Sequence, residues 1–413
     1  MGMNQTPMSE RVHIGFFGKR NAGKSSVMNA VTGQDIAVVS DVMGTTTDPV
    51  YKSMELLPLG PVVMMDTPGI DDEGELGALR VRKSYQVLNK TDVAVLVIDA
   101  TAGISPEDEA LLERIRRKKI PYLVVMNKID LTAEEKGRQI REKLGLSESR
   151  FVPVSASDGS GIRELKEKIA AAARAEEPEK YIVRDLVSPS DFVILVVPID
   201  KAAPKGRLIL PQQQTIRDLL DGNAVSVVVK ETELGQTLGQ LGKKPALVIT
   251  DSQAFGQVSR DVPEDILLTS FSILFARYKG NLESAVKGVT ALDRLEDGDT
   301  ILISEGCTHH RQCDDIGTVK IPKWIREYTG KKIRIETTSG TEFPDELGKY
   351  RLIVHCGGCM LNEREMKYRL SCAQDQGVPM TNYGILIAYV KGILKRSVEV
   401  FPEIESLLDA AGK

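Results

Sequence analysis

Gly18-Lys19-Arg20-Asn21-Ala22-Gly23-Lys24-Ser25 stands directly after an apolar run, Val12 to Phe17, and directly before a helix-like segment, Ser26 to Val31. Strand, glycine-bounded loop and helix in that order suit a nucleoside triphosphate. Successive backbone N–H groups of such a loop curl into an anion-binding nest, and the helix N-terminus adds the positive end of its dipole. Lys24 can reach the β- and γ-phosphates and Ser25 can ligate Mg²⁺, while Gly18, Asn21, Ala22, Gly23 and Ser26 complete the turn. The expected fold is α/β, opening on a P-loop domain with a parallel sheet.

Three further motifs follow in the order a GTPase requires. Val62-Val63-Met64-Met65 runs into Asp66-Thr67-Pro68-Gly69, where a carboxylate at a strand end can hold Mg²⁺ through water and the Gly69 amide can meet the γ-phosphate. Tyr122 to Met126 runs into Asn127-Lys128-Ile129-Asp130. Guanine presents two donors on one edge, N1–H and N2–H₂, and the Asp130 carboxylate can accept both; adenine offers no such pair. Ser155-Ala156-Ser157 can present a backbone amide to the guanine O6. Between loop and Asp66 lies Gly44-Thr45-Thr46-Thr47-Asp48, whose Thr46 is expected to close over Mg²⁺ and the γ-phosphate. Lys24, Ser25, Thr46, Asp66 and Gly69 are therefore the candidate catalytic group.

Residues 1–172 resemble a translation-factor-type GTPase domain, closest to the branch of tRNA-modification and ribosome-assembly GTPases. Ile70 stands where Ras-like proteins carry the glutamine that orients water, so intrinsic hydrolysis is expected to be slow. Asn21 occupies the position that holds a monovalent cation in the resembling K⁺-dependent GTPases. A K⁺ there can take the electrostatic part of an arginine finger.

Five cysteines occur in 413 residues: Cys307, Cys313, Cys356, Cys359 and Cys372. That sparse odd count, with no N-terminal apolar signal and no long apolar span, reads as a reduced cytoplasm and not as a disulfide scaffold. His355-Cys356-Gly357-Gly358-Cys359 follows a strand-like run, Tyr350 to Val354, and Cys307-Thr308-His309 follows another, Thr300 to Ser304. Two strand ends finishing in thiolates and imidazoles can meet at one edge of a parallel sheet and share an ion or cluster. Cys313 and Cys372 are expected outside the ligand set. Zinc is the main rival metal, since a Cys₃His set would suit it well.

This combination behind a GTPase domain resembles the [FeFe]-hydrogenase maturation GTPase family HydF, along the whole chain in order. The resemblance implies that Cys307, Cys356 and Cys359 hold a [4Fe–4S] cluster and that the protein carries a diiron subcluster precursor. It also implies a homodimer through the middle region, with the radical-SAM maturases HydE and HydG and the apo-hydrogenase HydA as partners. Three thiolates leave one iron of a cubane without cysteine. Glu305, His309 and His355 are the candidate fourth ligands, and Glu305, two residues before Cys307, shares its face on an extended chain.

Past a charged, proline-marked linker near Lys180, strand-like runs alternate with helix-like segments, which means parallel sheets covered on both faces. The expected division is 1–172, a middle α/β dimerisation domain at 181–268, and a cluster-binding α/β domain at 269–413. Val193 to Val197 is a candidate apolar edge, or equally a buried central strand. Formal net charge is −4, which does not favour nucleic acid, and the basic runs Arg114 to Lys119 and Lys391 to Arg396 read as solvated helix faces; no membrane association is expected. The competing reading is a tRNA- or ribosome-associated GTPase with a structural zinc site; a third is a GTP-gated dithiol enzyme using Cys356 and Cys359.

Overall fold

The computed structural model describes residues 6–34, 49–70, 81, 83–174, 180–198, 208–306, 315–340, 343–358 and 361–411. The chain divides into two compact units, Met1–Pro178 and Glu179–Lys413.

In the first unit the strands are β1 (Val12–Phe17), β2 (Val50–Leu56), β3 (Gly60–Asp66), β4 (Val93–Asp99), β5 (Tyr122–Asn127) and β6 (Phe151–Pro153). They form one six-stranded sheet in the order β2-β3-β1-β4-β5-β6. All neighbours run parallel except β2, which is antiparallel to β3. The sheet expected to be parallel is therefore mixed. The residues between Leu56 and Gly60 are enough to close a hairpin, whereas a parallel crossover needs about a dozen or more. Along β1 and β3, alternate side chains enter opposite layers. Ile14, Phe16, Val62 and Met64 meet Val27 and Val31 of the helix Lys24–Thr32, while Phe17, Val63 and Met65 share a core with Leu111 and Ile115 of the helix Pro106–Arg117. Helices on both faces are why the central strands read as unbroken apolar runs.

The second unit holds two four-stranded sheets, all parallel. The first is built from β7 (Phe192–Val196), β8 (Val225–Val229), β9 (Leu247–Thr250) and β10 (Leu267–Ser270), ordered β10-β9-β7-β8. The second is built from β11 (Thr300–Ser304), β12 (Arg334–Thr338), β13 (Leu352–His355) and β14 (Met380–Asn382), ordered β12-β11-β13-β14. One hydrophobic cluster runs through both, from Val193, Leu195 and Ile249 to Ile303, Val354 and Leu386. Val193 to Val197 is buried in the centre, since β7 lies between β9 and β8. Apolar side chains are exposed at the edge strand β8 instead, with Val225 39% and Val228 44% exposed. Among the described residues no helix is long and apolar enough to cross a membrane.

Candidate functional site

The chain leaves β1 at Gly18, φ +139°, where a Cβ would stand 2.2 Å from the Val97 carbonyl oxygen; only glycine permits so close an approach. The loop closes at Gly23, a left-handed residue that begins the helix Lys24–Thr32. A Cβ there would stand 2.2 Å from Asn127 Nδ2. Lys24 is buried and folds back over the loop, its Nζ donating to the carbonyls of Gly18 at 3.1 Å and Lys19 at 2.7 Å. Backbone N–H groups at the helix start and an ammonium inside the turn make a preformed anion cradle.

Ser25 donates its hydroxyl to Asp66 Oδ2 at 2.6 Å. Burial pushes the Asp66 carboxyl above its ordinary value, against the Ser25 hydrogen bond, the Lys24 charge and the Thr67 N–H, which pull it down. Its second oxygen, Oδ1, is buried with no hydrogen-bond partner among the described residues. A carboxylate oxygen without a donor, beside a serine hydroxyl, fits the hard oxygen shell of Mg²⁺. Thr67 anchors the segment by donating to the Phe16 carbonyl at 2.7 Å, and Gly69 follows half-buried. Ile70 packs into the core, so its side chain has no part in orienting water. Thr46 lies outside the described residues.

Asn127, the last residue of β5, ties two loops together. Its Nδ2 donates to the Ala22 carbonyl and its Oδ1 accepts from the Ala156 N–H, both at 3.1 Å. Lys128 is left-handed, φ +66°; its Nζ donates to the Asn21 carbonyl at 2.9 Å and pairs with Asp99 at 2.5 Å. Asn21 is also left-handed, φ +58°, and exposed. Asp130 is exposed beyond them, available to a base edge. Ser155 is buried, its Oγ 2.8 Å from that of Ser157.

In the second unit β11 and β13 are neighbours, with Ser304 opposite His355, and the Cys356 N–H donates to the Ser304 carbonyl at 2.9 Å. The Cys356 sulfur accepts from the N–H groups of Gly306 at 3.0 Å and Gly358 at 3.4 Å. Converging N–H groups stabilise a thiolate, and such hydrogen bonds tune cluster sulfur, so this part of the donor set fits an iron–sulfur group. Cys307 and Cys359, the next residues in each strand-end loop, lie outside the described residues, as do His309 and Cys313.

Glu305 is 2% exposed and accepts from the Tyr383 hydroxyl at 3.3 Å. Burial, then Glu305 and Cys356, push that hydroxyl up. Gly317 makes the room: a Cβ there would stand 2.4 Å from Glu305 Oε1. His355 is engaged at both ring nitrogens, Nε2 with Arg369 Nη1 at 3.1 Å and Nδ1 with the Cys356 carbonyl at 2.6 Å. Arginine only donates, so Nε2 accepts and Nδ1 carries the proton. Burial and then the charge of Arg369 push this imidazole down to about 3. Arg369 is fully buried and also donates to Glu365 Oε1 at 2.9 Å, Ser304 Oγ at 3.2 Å and the Gly340 carbonyl at 2.9 Å.

Sequence reasoning passed over Asp99, which seats Lys128, and Gly306, Gly317 and Arg369, which shape the strand ends. Only Gly306, between Glu305 and Cys307, carried a signal in its position.

Two family models named for hydrogen maturase F match the second unit, its tetramerization domain over residues 283–400 and its dimerization domain over residues 182–280. A 50S ribosome-binding GTPase model matches residues 13–128. The chain is similar to the tRNA modification GTPase MnmE of Thermotoga maritima, 36% identical over 155 residues, 37% of this chain and 33% of that protein. It is also similar to GTPase Der of Wolinella succinogenes, 36% identical over 165 residues, 38% of this chain and 35% of that protein. The chain thus matches about a third of the length of these curated relatives. Among solved structures, Era in complex with MgGDPNP and a segment of 16S ribosomal RNA aligns at 23% identity and TM-score 0.37, over 53% of this chain and 93% of that one. The G domain of the T. maritima FeoB iron transporter aligns at 25% identity and TM-score 0.31, over 40% and 99%.

Proposed function

The chain belongs to the hydrogen maturase F family, GTPases of hydrogenase maturation, and from that membership we propose that it is a GTP-hydrolysing scaffold for the [FeFe]-hydrogenase active site. In this reading it binds a [4Fe–4S] cluster through Cys307, Cys356 and Cys359, holds the diiron subcluster precursor as cargo, and delivers it to apo-hydrogenase HydA after receiving it with the help of HydE and HydG. The domain division that goes with it is 1–172, 181–268 and 269–413.

The observation that carries the proposal is the meeting of two strand ends. β11 runs into Glu305-Gly306 and β13 into His355-Cys356, side by side, and each leads within a few residues to another cysteine. When bound, the cluster supplies an iron that no cysteine ligates, where cargo can be bridged. Glu305 is preferred over His355 as its exchangeable ligand, because His355 spends both ring nitrogens on Arg369 and the backbone. A carboxylate is a hard, weak partner for a soft site and leaves easily. His309 remains the alternative on sequence grounds.

GTP and Mg²⁺ are held by the first unit, with Lys24 on the phosphates, Ser25 and Asp66 on the ion and Asp130 on the base. Thr46 and the Gly69 amide are proposed to close on the γ-phosphate, and hydrolysis to release them. The buried Ile70 supports slow intrinsic turnover, and the exposed, left-handed Asn21 supports a K⁺ beside the phosphates. The family's assembly domains make the chain oligomeric, and the exposed edge strand β8 is the proposed dimer seam.

Anaerobic reconstitution with iron and sulfide, followed by metal analysis and EPR, tests the reading. About four irons per chain and a [4Fe–4S]⁺ signal, lost on changing Cys307, Cys356 or Cys359 to Ser while GTP hydrolysis persists, is the expected result. One tightly held zinc with no such signal overturns it in favour of an RNA-serving GTPase with a structural zinc.

A further inference from the structure

Away from the nucleotide loops, at the other end of the same sheet, β5 begins at Tyr122, about 17 Å along the strand from Asn127. A cleft of about 630 Å³ opens there. Ile120, Leu123 and Ala172 give it an apolar floor, Arg116, Lys119, Arg150 and Lys168 a cationic rim, and none of its lining residues is acidic.

The cations are arranged unusually. Arg116 Nε and Arg150 Nη1 both donate to the one hydroxyl oxygen of Tyr122, at 3.0 and 3.1 Å, and both guanidiniums lie over its ring, at 5.7 and 4.8 Å from the centroid. Two positive forks thus converge on a neutral oxygen, and neither meets a carboxylate among the described residues. Burial pushes the Tyr122 hydroxyl up, but the two arginines outweigh it and hold it below the usual tyrosine value. Lys119 is left-handed, φ +52°, a conformation costly for a residue with a Cβ; its backbone N–H donates to the Arg116 carbonyl, and its ammonium makes no hydrogen bond or ion pair among the described residues. Among the described residues five non-glycine residues have positive φ, and two of them, Asn21 and Lys128, line the nucleotide loops, so such a backbone accompanies a site elsewhere in the chain.

We propose that this cleft binds an acidic peptide segment of a partner protein, with a carboxylate seated between Arg116 and Arg150 and an apolar side chain on the Ile120–Leu123 floor. Guanidinium forks match carboxylates bidentately. A free inorganic anion has no use for the apolar floor. Nucleic acid needs a basic track along its backbone, whereas here the cations ring a single cleft on a chain of net charge −4. Because the cleft and the nucleotide loops occupy opposite strand ends, occupancy does not compete with GTP.

The test is fluorescence anisotropy on the full-length protein with a fluorescein-labelled octapeptide alternating glutamate and leucine. Saturable binding that weakens with salt is expected. Lys119→Glu, a change at a side chain without partners, should weaken it about fivefold or more, and Arg150→Ala about tenfold, with affinity for a fluorescent GDP analogue unchanged in both. The GDP control separates loss of the cleft from loss of the fold. Absence of saturable binding overturns the proposal, as does a Lys119→Glu protein that binds like the wild type. Equal binding of a lysine–leucine octapeptide, or displacement of the glutamate peptide by octauridylate or pyrophosphate at lower concentration than by unlabelled peptide, overturns it as well.

Discussion

Replacing Arg369 by leucine should unfold the second unit preferentially, and the size of the effect follows from its contacts. Arg369 is fully buried and donates to Glu365, Ser304, His355 and Gly340 at 2.9–3.2 Å. Leucine fills part of the volume but leaves the Glu365 carboxylate, 3% exposed, without its counter-charge. Removing one partner of a buried ion pair costs about 3–5 kcal/mol, most of it for stranding the other charge. With a urea dependence of about 3 kcal/mol per molar, the midpoint should fall by about 1–1.7 M. The chain has one tryptophan, Trp324, which packs against the second unit's core. Its fluorescence therefore reports this unit, while binding of a fluorescent GDP analogue reports the first. The paired change Glu365→Leu/Arg369→Leu removes both charges and should recover about half of the loss. A midpoint shift under about 0.3 M, or a double variant less stable than Arg369→Leu alone, would refute the reasoning, because the network would then be contributing packing and not charge compensation.

Gly23→Ala places a Cβ 2.2 Å from Asn127 Nδ2 at a left-handed residue, so strain plus two disturbed Asn127 hydrogen bonds should weaken GDP binding about 30-fold or more, read by fluorescence titration. Asp66 has a raised folded-state pKa, so its contribution to stability is present below the ordinary aspartate value and lost as pH rises through the raised one. Asp66→Asn should accordingly raise the melting temperature of the nucleotide-free protein at pH 7, flatten its pH dependence above the ordinary aspartate value, and abolish Mg²⁺-dependent turnover; a lower melting temperature would contradict the burial argument. Asn21→Gly keeps the left-handed backbone but removes the carboxamide, so KCl should no longer accelerate hydrolysis over NaCl in a phosphate-release assay. Val228→Lys sets a charge on the β8 edge and should lower the oligomeric state by light scattering without changing GDP affinity.

The parts of the fold that could be read from sequence are those where local chemistry leaves no choice. Gly18 and Gly23 sit where any Cβ would collide, so the loop announces itself. The partner loops around Asn127 and Ser155 follow strands whose apolar runs are unbroken. β2, by contrast, reads Val-Tyr-Lys-Ser-Met-Glu-Leu, without clean alternation, because it lies at the sheet edge, half exposed; the mixed character of the sheet was invisible for that reason. Val193 to Val197 could be edge or centre because an apolar run fits both, and only its neighbours decide. Arg369 was illegible for a different reason. It sits in a polar helix, Glu363–Asp375, and is buried by groups 14, 29 and 65 residues away in sequence.

Both sites stand at the carboxyl ends of parallel strands, and a single physical preference accounts for that. A parallel strand hands the chain to a loop whose backbone N–H groups are not yet spent on the sheet, so loops from neighbouring strands offer donors to whatever lies beyond the edge. In the first unit those donors and Lys24 form the anion cradle. In the second, the N–H groups of Gly306 and Gly358 turn toward the Cys356 sulfur while Lys279 holds the Gly357–Gly358 carbonyls. An edge of this kind favours anions, whether a triphosphate or a thiolate-bound cluster. Tyr383 and Glu305 break the pattern, placing a carboxylate among donors at the second edge. In the proposed reading a carboxylate ligand there leaves more readily than a thiolate would, which is the property a carrier needs and a structural zinc site does not.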